Sequence, residues 1–235
     1  MLRLTRPFAL LAALLFVTVS STTAAPAQQV CGPGAALGDM DTAAAADPHL
    51  ELSALLRARP GDEGRAHDLA RRTARAIAPY RDVARARGDG YRPFGDVPEA
   101  QVIHYVSLPR SLRERWRLDP ERPGALLYER RNGDLVLVGA MFGAPGGASH
   151  SELDRRVPLS QARWHRHTNI CTPRPIWSRT KWARRDAKGR MVYGAFSPIA
   201  TKAACEAVGG RFHARILGWM VHVYPFDADP ERWWR

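Results

Sequence analysis

Apolar and polar positions alternate along this chain with two different periods. Over residues 62–87 the period is helical. Leu69, Thr73, Ala76, Ile77, Tyr80, Val83 and Ala84 share one stripe, and Arg65, Arg72, Arg75, Arg81 and Arg85 take the opposite side. Pro79 predicts a kink or the start of a second short helix, and Gly88 and Gly90 predict an end. Residues 101–106 (Gln-Val-Ile-His-Tyr-Val) read as a strand, and 109–123 as a polar connection with a helical turn near 111–116. Residues 125–131 and 134–142 flank Asn132-Gly133, a pair suited to the positive φ angles of a type I′ hairpin. That turn sets Arg131 opposite Asp134 and Tyr128 opposite Leu137. Glycines in 143–147 break the strand. Next come residues 157–170, then a basic, Trp-bearing loop over 172–190 and a helix over 198–208 ended by Gly209-Gly210. A strand follows at 211–216, and a second at 218–224, where β-branched and aromatic residues dominate until Pro225.

Helices do not regularly separate these strands. The pattern predicts an α+β fold, with a twisted antiparallel sheet or a small barrel-like sheet, an N-terminal amphipathic helix and one later helix. Gly-x-Gly-x-x-Gly, P-loop and Gly-x-Ser-x-Gly motifs are all absent from the sequence, which removes the commonest nucleotide-cofactor and hydrolase readings.

The first residues follow other rules. Arg3 and Arg6 precede an apolar run over 8–19, and small residues end in Ala25-Pro26-Ala27. The run is shorter than the roughly 20 residues of a spanning helix. Residues 1–27 therefore read as a secretory signal peptide, with an uncleaved anchor as the alternative. Cleavage would leave 208 residues (235 − 27), with no later transmembrane span. Residues 28–60, rich in Ala, Gly and Asp, read as a flexible arm before a single domain at 61–235. The predicted location is secreted or periplasmic. In that compartment Cys171 and Cys205 are the preferred disulfide, leaving Cys31 in the arm. With no Cys-x-x-Cys, thioredoxin-type, c-type haem and zinc-ribbon sites lack their basic element.

The formal charge is +12, and about +10 once the two signal arginines are removed. Export makes nucleic acid an unexpected partner; the charge then suits anionic lipid, an acidic cell-wall polymer or, most simply, a solvated surface of arginines dispersed among acids.

Several local motifs share an order. The helix Tyr80-Arg81-Asp82 ends in Asp89-Gly90-Tyr91. Then come His104-Tyr105-Val106, Asp119-Pro120-Glu121-Arg122-Pro123, and Leu137-Val138-Gly139-Ala140. This string resembles a group of uncharacterised exported bacterial proteins, which also tend to carry a late histidine in an apolar strand. The resemblance covers roughly residues 65–226. It implies a shared fold and an envelope location, and no activity. Ser107 departs from the pattern, where Asn is common.

Four of the eight histidines sit in the more informative places, and His213, in or near the 211–216 strand, is a weaker candidate. His165 and His167, two apart, point to one face if their segment is extended. His222 shares a face with Met220 and Tyr224, opposite Trp219, Val221 and Val223, while His104 lies in the 101–106 strand. Neutral imidazole is the commonest ligand for transition metals, and Met220 would tilt the choice from zinc toward copper. The sequence reading is therefore metal binding rather than turnover, through His165, His167 and His222 with His104 in reserve. A second reading treats the histidines as structural. A basic aromatic surface of Trp164, Trp177, Trp182, Arg179 and Lys181 then holds an anionic envelope polymer or a protein partner. A third is a cupin-like metal-dependent enzyme, although no acid follows His167 before Asp186.

Overall fold

The computed structural model describes residues 47–94 and 102–234, and the signal, Cys31 and most of the expected arm lie outside that range. Seven antiparallel strands form one sheet: β1 (Leu50–Leu52), β2 (Arg92–Pro93), β3 (Val102–Val106), β4 (Ala125–Arg131), β5 (Asp134–Ala144), β6 (His165–Thr172) and β7 (Arg211–Val223). Their spatial order is β1-β6-β7-β5-β4-β3-β2. The outer strands β1 and β2 are not neighbours, so the sheet is open, which corrects the barrel-like alternative and removes the cupin architecture. Six α-helices accompany it among the described residues: α1 (Asp62–Ile77), α2 (Val83–Gly88), α3 (Leu108–Glu114), α4 (His150–Arg156), α5 (Arg179–Trp182) and α6 (Lys202–Ala207).

The expected hairpin forms as its turn chemistry dictates. Asn132 and Gly133 take φ of 51° and 90°, and Arg131 pairs with Asp134 and Tyr128 with Leu137. A bulge follows, because Leu127 pairs with Gly139 and Val138 is the extra residue. Helix α1 meets the sheet through Ala66, Ala70, Thr73 and Ile77, a stripe rotated from the expected one, since small alanines let the helix approach closely. Pro79 falls in a 3-10 turn, Ala78–Arg81, which separates α1 from α2 as its missing N–H requires.

Three expectations change. Residues 47–60, expected within the arm, include a strand, β1, which pairs with β6 at the sheet edge. His49 is buried there, its Nε2 2.6 Å from the Ser197 carbonyl and its Nδ1 3.3 Å from that of Thr168. The two late strands are one, interrupted at Leu217 (φ 66°) and Gly218, where a Cβ would lie 2.1 Å from the Ala144 carbonyl oxygen. Helix α4 was not expected, although Ser149 and Glu152 form a capping box whose Ser-x-x-Glu spacing is visible in the sequence.

The sheet has two unlike faces. One carries Tyr105, Leu126, Tyr128, Phe142, Trp219, Val221 and Val223 into the main core with α1. The other bears a smaller cluster of Val102, Leu127, Val138 and Tyr224, with Met141 packed against it. A third small cluster surrounds the Cys171–Cys205 disulfide, with Val192 and Tyr193.

Candidate functional site

Four of the strand histidines, His104, His165, His167 and His222, gather on the second face. Period-two alternation puts His222 of β7 and Tyr224, just past its end, on it, and cross-strand pairing adds His165 opposite Met220 and Met141 opposite His222. His104 arrives from β3 through Leu127, its partner in β4. Next in that row is Gly139, where the end of β7 crosses so closely that a Cβ would lie 2.1 Å from the Val223 carbonyl oxygen. Only glycine permits that approach, and it brings His222 toward His104. Their Nε2 atoms are 3.2 Å apart. The His222 ring also lies 4.9 Å from that of His165 and 6.1 Å from that of Tyr224, measured between centroids. His167 is next, 6.1 Å from His165.

Burial sets the charge state of this cluster. His165 and His222 are almost fully buried, and His104 and His167 partly so. Desolvation first, then repulsion from His167, lowers His104 to about 4. Burial, helped by His167 and His104, takes His165 to about 3. His222 is held well below its ordinary value by burial and by its three histidine neighbours. Burial lowers His167 as well, against an opposing pull from Asp47. All four are neutral near pH 7, the state in which imidazole can ligate a metal or relay a proton. With both rings neutral, one Nε2 donates and the other accepts. Where His222 accepts, its Nδ1–H is left to face the Tyr224 hydroxyl oxygen 3.5 Å away, a long contact. The Nδ1 atoms of His165 and His167 are buried without a hydrogen-bond partner among the described residues.

The distance of 3.2 Å has a second chemical meaning. Two ligand nitrogens each about 2 Å from one metal ion are separated by roughly this span. Yet no group of three or more His, Cys, Asp or Glu side chains has metal-binding geometry among the described residues. His104, expected only in reserve, makes the closest approach, and His167 lies at the margin. Met141 could not be read as a site residue from the sequence, because the β4–β5 bulge hides which β5 positions face β7.

The aromatic surface does not assemble as expected. Trp164 is fully buried in the main core, so it cannot belong to a surface. Trp182 packs on the disulfide cluster and donates its Nε1–H to the Ile176 carbonyl. Trp177 is 81% exposed, near the exposed Arg179 and Lys181.

No protein-family model, curated protein or solved structure matches this chain.

Proposed function

We propose that this protein binds a transition metal between His104 and His222, with His165 turning in as a third ligand and His167 standing behind it. The observation that carries the reading is the 3.2 Å separation of two neutral Nε2 atoms in a buried cluster. Among the described residues, the charges that shift His104, His165 and His222 are those of other histidines, with no carboxylate beside them to offset a cation. A monovalent ion suits such a site better than a divalent one, because uncompensated buried charge is costly. Met141 and Met220 flank it as soft donors. Copper(I) is therefore the favoured metal and zinc the runner-up. The surroundings suit binding and transfer more than turnover.

Elemental analysis of untagged protein purified without chelator tests this, with anaerobic copper(I) titration against a chromogenic chelator. Near-stoichiometric copper that falls away in both His104→Ala and His222→Ala supports the site. A metal-free protein that takes up no copper or zinc on titration retires it.

A second reading rests on exposed Trp177 beside Arg179 and Lys181, a surface for an anionic envelope polymer or a protein partner. Binding there would weaken with salt and survive the histidine changes. An exported location fits both readings, and the disulfide is compatible with it.

A further inference from the structure

Helix α3 buries Glu114 and turns other side chains outward. The chain stays helical past its end, with the Trp116 and Arg117 N–H groups both donating to the Arg113 carbonyl, at 3.0 and 3.2 Å. Leu108, Leu112 and Trp116 thus recur every four residues along one outward stripe, and they are 68%, 55% and 79% exposed. Isolated exposed apolar residues are ordinary, but a stripe of three large ones marks a contact surface.

Its surroundings are mostly basic. Arg113, Arg115 and Arg117 are exposed within and after the helix. Trp116 and Arg117 also line a cleft of about 430 Å³ with Arg65, Arg155 and Arg156. Two of these guanidinium groups are fixed in place: Arg65 donates to the carbonyls of Asp154 and Arg155, and Arg156 to those of Glu114 and Arg115. The one acid lining the cleft, Glu152, is occupied by the Ser149 N–H and hydroxyl.

We propose that this face docks on an anionic lipid bilayer. Leu108, Leu112 and Trp116 enter the boundary between headgroups and acyl chains, and the cleft arginines take lipid phosphates. A small anion would explain the cleft but leave the apolar stripe without purpose. A bilayer answers both, because its phosphates suit the planar guanidinium and its interface suits tryptophan. No helix among the described residues is long and apolar enough to cross a membrane. This inference is independent of the histidine site.

Co-sedimentation of the full chain, after any signal is removed, with phosphatidylglycerol or phosphatidylcholine vesicles tests it. The expected result is binding to phosphatidylglycerol at least ~10-fold tighter than to phosphatidylcholine, weakening as salt rises. The triple change Leu108→Ser, Leu112→Ser, Trp116→Ser should cut that binding by about tenfold or more, since it removes most of the inserted apolar area. Arg117→Gln with Arg155→Gln should remove the preference for the anionic lipid. All five side chains are exposed, and circular dichroism checks that the fold survives. Absence of vesicle binding, or binding unchanged in both variants, overturns the proposal. So does self-association abolished by the triple change, or uptake of inorganic phosphate, where either occurs without vesicle binding.

Discussion

The His104 and His222 rings meet across two intervening strands, and the bare backbone of Gly139 lies in the row between them. The end of β7 crosses that glycine too closely for any side chain. Gly139→Ala should therefore lift the Val223 carbonyl away, at about 1–3 kcal/mol of overpacking strain, and pull His222 from His104. Urea denaturation reads the first effect, and imidazole nitrogen chemical shifts read the second. A wild-type denaturation midpoint with unchanged shifts would show that β7 does not depend on the glycine.

The histidine face should make the metal-free protein sensitive to acid. Folding holds His104 and His165 neutral down to about 4 and about 3, whereas an unfolded histidine titrates near 6.5. The unfolded state thus binds more protons between those values. The resulting stability is fully present above pH 6.5 and is lost as pH falls toward 4. At pH 5 the loss is on the order of 2 kcal/mol for each such histidine. Denaturation midpoints measured from pH 7.5 to pH 5 should fall steadily, and less steeply in His165→Phe. A flat profile over that range would mean that the imidazoles reach water more freely than their burial implies.

The hairpin was legible because Asn132-Gly133 fixes a turn and the turn fixes a register. The separation of β7's faces was legible because Trp219, Val221 and Val223 alternate with Met220 and His222. The disulfide followed from elimination and compartment. What the sequence hid came from long-range events without a local signal. The bulges at Val138 and at Leu217–Gly218 alter which residues face each other, so Met141 could not be paired with His222 in advance. Edge strand β1 is three residues long in an alanine-rich stretch, and it is held by pairing to β6 rather than by its own propensity. Trp164 reads as surface from its Arg and His neighbours, but alternation along β6 and its approach sends it into the core.

Glu114 offers a test of buried charge away from the histidines. Its two carboxylate oxygens accept the N–H groups of Gly124 and Gly143 at 2.6 and 2.8 Å, and a Cβ at Gly124 would collide with one of them. Burial pushes this carboxyl up to about 8 against the pull of both donors and of Arg156. Its proton is therefore held in the folded state, and the associated stability is lost as pH rises from about 4.5 through 8. Glu114→Gln should abolish that alkaline loss. It would also set an amide N–H₂ against one backbone donor, at a cost of about 1–3 kcal/mol near pH 6. Thermal unfolding at pH 6 and pH 8.5 separates the two effects. A variant as stable as wild type at pH 6 would show that the amide finds another acceptor.

The Cys171–Cys205 bond ties β6 to α6 across 34 residues. Closing a loop of that length stabilises by about 3–4 kcal/mol on the chain-entropy account. The bond also organises a small lobe. Val192 and Tyr193 pack around it, Tyr193 donates its hydroxyl to the Val208 carbonyl, and a Cβ at Gly210 would lie 2.4 Å from Cys171 Sγ. Cys171→Ala with Cys205→Ala should therefore loosen residues 173–201 first, because little else in that stretch is buried. The main core, which shares no residue with this cluster, should persist. His49 bridges the two regions, since its ring reaches the carbonyls of both Thr168 and Ser197. Limited proteolysis should then cut within 173–201 while amides of β4 and β5 stay protected from hydrogen exchange. Simultaneous loss of protection in β4 and β5 would show that lobe and sheet unfold as one unit. The histidine face would then depend on the redox state of a bond in a separate cluster.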